Sequence, residues 1–102
     1  MAAETVTVTR IYLREGEHLL PPLLNLLHEE KVSGLTVLRG VAGVGDDGVL
    51  HAHSLVDLAL DLPLVVEFYE SPKKSVIIWR RLEAHPAVRH VISWQALKLV
   101  KE

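Results

Sequence analysis

Residues 34–63 constrain the fold more than any other stretch. They read GLTVLRGVAGVG, then DDGV, then LHAHSLVDLALDLP. Two β-prone apolar runs flank glycines at Gly40, Gly43 and Gly45 and an acidic tip at Asp46 and Asp47. This is the pattern of two strands joined by a projecting loop, made of residues that let backbone approach backbone. The glycines have two readings. Successive N–H groups can converge on an anion as a nest, or the missing side chains can permit turns and close strand packing. The run lacks the Gly-Lys-Ser/Thr end of a P-loop, and it does not open a helix with Rossmann spacing. Alone it names no reaction, and it points to a protein that binds rather than transforms.

The rest of the composition narrows the class. A chain of 102 residues makes one domain, 1–102. Apolar residues reach 49% with only 5% aromatic, so Leu and Val must fill a modest core, and oligomerisation is the route to burying more. Net charge is −2 with both signs mixed along the chain, and without a basic block nucleic acid is not an expected partner. The absence of cysteine excludes disulfides, thiolate nucleophiles and Cys-based metal sites. No apolar run approaches the ~20 residues needed to cross a bilayer. The start, MAAETVTV, has neither the basic nor the apolar region of a signal peptide, so a cytoplasmic location is expected.

Along the chain, Thr5–Leu13 reads as a strand by its β-branched residues. Leu20, Leu23, Leu24 and Leu27 recur at helical spacing within 19–32, with Pro21 and Pro22 tolerated in the first turn. Ser33-Gly34 closes that helix. Strands follow at Leu35–Val44 and Leu50–Leu58, joined by a polar loop with the freedom to move. Asp57 and Asp61 read as strand ends and turns. Leu64–Tyr69 is a short strand of the kind buried on both faces. Ser71-Pro72 opens a second helix, with Val76, Ile77, Trp79 and Leu82 as candidate core positions, and His85-Pro86 stops it. Val88–Val100 is a last strand whose apolar residues break the period of two, which predicts a bulge or an early end. The order β-α-β-β-α-β is the ferredoxin-like, α+β plan. Two helices cover one face of its sheet, and a partner subunit is the expected cover for the other.

The ordered set Gly40-Val41-Ala42-Gly43-Val44-Gly45, Leu50-His51 and Asp61-Leu62-Pro63, with Arg10-Ile11-Tyr12 before it, resembles the DUF190 family of small bacterial and archaeal proteins. That family is similar in fold to the PII signalling proteins, and the resemblance covers nearly the whole chain. It implies a trimer with an extended loop between the second and third strands, and intersubunit clefts that hold small effectors, commonly adenine nucleotides. It also implies a regulatory role with no enzymatic activity and no cofactor. Family members are often encoded near small fluoride-exporting channels, which implies a membrane transporter as partner. The chain departs from the family pattern at Val44, where an aromatic is usual. It departs again at Asp46 and Asp47, where small or basic residues are usual, and at Pro21-Pro22.

Expected ligand-binding residues are Arg39, beside the glycine run, with Gly40, Gly43, Gly45 and His51. Asp46 and Asp47 are the expected partner-facing tip, and two carboxylates there disfavour phosphate. His51 and His53 would share one side of a strand, a spacing open to a metal but more often a hydrogen bond or an interface. Glu67 is expected to pair with Arg39 or Arg10 across the sheet. Lys73 and Lys74 at the second helix's start hint at an anion site, with solvated surface as the alternative. His18, His28, His85 and His90 read as turn or surface residues.

Overall fold

A computed structural model describes residues 1–52 and 61–102. His53, Asp57 and the end of the expected third strand lie outside the described residues. The elements are β1 (Ala2–Arg14), α1 (Leu20–Glu29), β2 (Gly34–Arg39), β3 (Ala42–Val44), β4 (Leu50–Ala52), β5 (Pro63–Glu70), α2 (Pro72–Glu83) and β6 (His90–Val100). Four of these strands form one antiparallel sheet in the order β2-β5-β1-β6, and β3 and β4 form a separate two-stranded ribbon. This is the ferredoxin-like arrangement, with the ribbon inserted between the second and third sheet strands. Among the described residues, no helix is long and apolar enough to cross a membrane.

Alternation along the central strands separates the two faces. Ile11 and Leu13 of β1 and Leu64, Val66 and Phe68 of β5 point to one side, where they meet Leu23 and Leu27 of α1 and Ile78 and Leu82 of α2. Leu23 and Leu27 lie one helical turn apart, so α1 buries a single stripe. Trp79 is half-buried, and its Nε1 donates to Thr9 Oγ1 at 2.9 Å, which pairs two polar groups under α2 with each other. On the opposite face of the sheet stand Val8, Arg10 and Tyr12, with Val65 and Glu67 of β5 and Ile92 and Trp94 of β6. Both helices lie across the other side, and this face carries no helix among the described residues.

Several expectations change. The second helix buries Ser75, Ile78 and Leu82, while Val76 and Ile77 are exposed. Its inward stripe begins on a serine, so apolarity pointed to the wrong neighbours. The last strand has no bulge: β6 pairs with β1 in unbroken register from Tyr12↔His90 to Ala2↔Val100. Its apolar residues lose the period of two because both of its faces are apolar. The expected strand 35–44 breaks at Gly40. There Gly40 N–H donates to Pro63 O at 2.8 Å, and a Cβ would sit 2.7 Å from the Pro63 ring. The chain leaves the sheet over that proline, and only a glycine passes without displacing it. The first helix ends at Glu29, before Ser33-Gly34, and Lys31 takes a left-handed φ of 52° to turn the chain into β2.

Ser75 is fully buried, and its hydroxyl finds no hydrogen-bond partner among the described residues. Ser75→Ala should therefore stabilise the protein by about 1 kcal/mol, seen as a Tm several degrees higher. A lower Tm would mean that the hydroxyl is satisfied in solution.

Candidate functional site

The ribbon folds back over the helix-free face of the sheet and encloses a cleft of about 660 Å³. Its floor is Tyr12 and Arg14 of β1 with Pro63 and Val65 of β5. One wall is the ribbon and its turn, from Ala42 to Asp47 with His51. The other is the approach to β6, at Ala87, Arg89 and His90. Four distant segments meet here, because the β1–β5 and β1–β6 registers bring the ends of all three strands together.

The ribbon's turn is built locally. Gly48 N–H donates to Gly45 O at 3.0 Å, Gly48 adopts a φ of 68°, and Asp47 Oδ1 accepts from Val49 N–H at 2.9 Å. A left-handed residue closing a short turn favours glycine, which Gly48 supplies. Gly43 packs on the Pro63 ring, where an added Cβ would sit 3.1 Å away, whereas a Cβ at Gly45 would meet open space. Gly40 and Gly43 thus serve close packing.

The acidic tip is exposed, yet both of its carboxylates make contacts. Asp47 Oδ2 lies 2.9 Å from His51 Nε2 and 3.4 Å from Arg14 Nη1, and Asp46 Oδ2 lies 2.8 Å from His90 Nε2. A carboxylate only accepts, so Nε2 of each histidine carries the proton that closes the contact. His51 Nε2 then has no lone pair for Arg14, 3.4 Å away, and Arg14 is held instead by Asp61 Oδ2 at 3.0 Å. Asp61 Oδ1 also accepts from Gly16 N–H at 2.7 Å, which fixes the end of β1 against the turn before β5. The His51 hydrogen bond, aided by the Val49 N–H and the Arg14 charge, holds the Asp47 carboxyl below its usual range. Asp47 is therefore an anion at neutral pH.

Gly40, Gly43, Gly45 and His51 line the cleft, as do Asp46 and Asp47. Arg39 does not. Its Nε and Nη2 each donate to Glu15 at 2.8 Å, a bidentate pair that points the guanidinium at the 15–17 turn and depresses the Glu15 pKa. Glu67 pairs with Arg10 at 2.8 Å, and Arg10 also lies over the Trp94 ring. Lys74 is occupied by Glu70 and by the carbonyl of Lys31. Sequence reasoning missed Arg14, Asp61, Arg89 and His90 as parts of one site. The Val8-Arg10-Tyr12-Arg14 alternation was the available signal, since it puts Arg14 on the helix-free face. Among the described residues, no three acidic or histidine side chains are grouped to hold a metal ion.

Comparison with known proteins agrees with this architecture. The model of the DUF190 family (Uncharacterized ACR) matches residues 6–96. The chain belongs to the DUF190 family. A UPF0166 protein of Aquifex aeolicus is 35% identical over 65 residues, which cover 64% of this chain and 67% of that protein. A UPF0166 protein of Methanocaldococcus jannaschii is 34% identical over 65 residues, covering 59% of each. The matched segment thus spans about three fifths to two thirds of these curated relatives. Among solved structures, CPII of Thiomonas intermedia K12, bound to ADP and bicarbonate, superposes with a TM-score of 0.74 at 15% identity, covering 95% of this chain and 91% of that one. A Thermus thermophilus protein described as PII-like and signaling superposes at 0.65 with 16% identity, over 98% of this chain and 93% of that one. At these identities the likeness establishes the fold, which is PII-like.

Proposed function

We propose that this protein is a PII-like regulatory trimer that takes a small effector in the cleft beneath its ribbon and engages a partner through residues 44–50. The observation that carries this reading is the cleft itself. Its volume of about 660 Å³ suits a nucleotide-sized molecule, its floor is partly apolar, and one wall is a separate two-stranded element. That wall is attached to the body through exposed ion pairs, which are individually weak, so a ligand beneath it competes with them on nearly even terms. The ribbon turns Val41, Val49 and Leu50 outward, an apolar edge for a partner such as a membrane transporter. CPII's ADP and bicarbonate make adenine nucleotides and bicarbonate the first ligands to try.

Calorimetry with AMP, ADP, ATP, cyclic dinucleotides and bicarbonate tests the reading, alongside protease cleavage of the 44–50 loop. Binding of one of them, together with altered cleavage, is expected. Silence from the whole panel would count for a second reading, an interaction trimer without an effector. One observation favours that alternative: Arg14, His51 and His90 already have partners within the chain.

A further inference from the structure

The cleft is not a cationic pocket. Its lining contains two guanidiniums, Arg14 and Arg89, against three carboxylates, Glu17, Asp46 and Asp47. Arg14 is doubly engaged, by Asp61 at 3.0 Å and Asp47 at 3.4 Å. The two lining histidines are each closed by a loop carboxylate, at 2.9 and 2.8 Å. Arg89 alone among the lining cations makes no ion pair with a described residue. On the floor of the same cleft, Tyr12, Pro63 and Val65 supply ring and aliphatic surface.

We propose that Asp46 and Asp47 act as built-in occupants of the anion positions in this cleft and so set its ligand class: a molecule with a flat, largely apolar body and at most one strongly anionic group, seated at Arg89. A nucleoside or nucleoside monophosphate has that chemistry. A di- or triphosphate would set further negative charge beside two carboxylates, or would have to expel the loop and break its contacts with Arg14, His51 and His90. Like charges brought together in a partly closed cleft raise the free energy of the bound state, and among the described lining residues of this chain no further unpaired cation offsets a second or third phosphate. The proposal rests on the effector reading and sharpens it.

The test compares AMP, ADP and ATP by calorimetry on the full chain and on the double variant Asp46→Asn with Asp47→Asn. Asparagine keeps the turn, because its side-chain oxygen still accepts from the Val49 N–H. The native protein should bind AMP more tightly than ADP, and ADP more tightly than ATP. The variant should gain about tenfold or more for ATP and much less for AMP, flattening or reversing the order. Arg89→Ala should weaken AMP about tenfold while changing adenosine little. A native preference for ATP, or an order unchanged by the double variant, overturns the charge-matching proposal and leaves the effector reading standing. No binding of any of these nucleotides or adenosine to either protein overturns this proposal too, and leaves the effector reading to cyclic dinucleotides and bicarbonate.

Discussion

Replacing Glu70 with alanine will cost this protein about 2–3 kcal/mol, the largest loss expected from any single polar side chain outside the cleft. Glu70 closes β5 on the helix side and is 7% exposed. One oxygen accepts from Ser33 N–H at 2.9 Å, and the other from the Ser33 hydroxyl at 3.0 Å and Ser71 N–H at 2.9 Å. Lys74 Nζ sits 3.3 Å away. One carboxylate therefore ties the turn after α1 to the start of α2, and alanine would take the acceptor from two backbone N–H groups at once. Burial raises its pKa, but the hydrogen bonds from Ser71 and Ser33 and the Lys74 charge outweigh that, and the net pKa lies below the ordinary 4.5. A depressed carboxyl pKa contributes stability that is fully present above the unfolded pKa and is lost as pH falls through the folded one. The gap in denaturation midpoint between the native chain and Glu70→Gln should be widest above about pH 5 and shrink below about pH 4. Thermal melts at one protein concentration should show Glu70→Ala lower by about 10 °C or more. A gap that does not vary with pH would show that the carboxylate is not ionised against these donors.

The succession of helices and sheet strands along the chain and both helix starts followed from local chemistry. Ser71 caps α2 because its oxygen reaches the Lys74 N–H and Pro72 needs no acceptor. The Leu23–Leu27 stripe names the buried face of α1 from spacing alone. What local chemistry could not supply was the meeting of distant segments. Arg14 and Asp61 both looked like turn residues, and each is one. They become a site only because Arg14 pairs in register with Pro63, two residues beyond Asp61. Glu67 had two candidate partners, and the same register chooses between them: Arg10 stands directly across from it, while Arg39 stands opposite Leu64. The contacts of the acidic tip were hidden for a related reason. Asp46 and Asp47 are polar enough to face solvent, and nothing nearby in sequence reveals that His90 and Arg14 wait across the fold.

In the proposed trimer, Ile92→Glu should separate the subunits into monomers without unfolding them. In a single chain, Ile92 is 56% exposed on the helix-free face, beside Trp94 at 42%, with Leu38 of β2 on the same face at 46%. A sheet with two helices on one side and large apolar side chains on the other is a half-covered core. The isolated chain has little to lose in its own fold when Ile92 changes, since that side chain is already half in solvent. The assembly has much to lose. Each subunit forfeits about 1–1.5 kcal/mol of apolar burial and gains a carboxylate whose desolvation costs several kcal/mol, and the proposed threefold axis would bring three copies toward one centre. The Arg10–Glu67 pair on this face does not offset the new charge, because Arg10 is already hydrogen-bonded at 2.8 Å to Glu67. Ile77→Glu is the matched control: Ile77 is 50% exposed but lies on α2, on the far side of the sheet, and its mass by light scattering should stay that of three chains. The cleft should respond as well. It opens onto the same face, so a monomer presents its ligand with only one of the two subunit surfaces expected around it, and effector affinity should fall along with the mass. A native protein that already scatters as one chain, or an Ile92→Glu variant that still scatters as three, would place the apolar face outside the subunit interface.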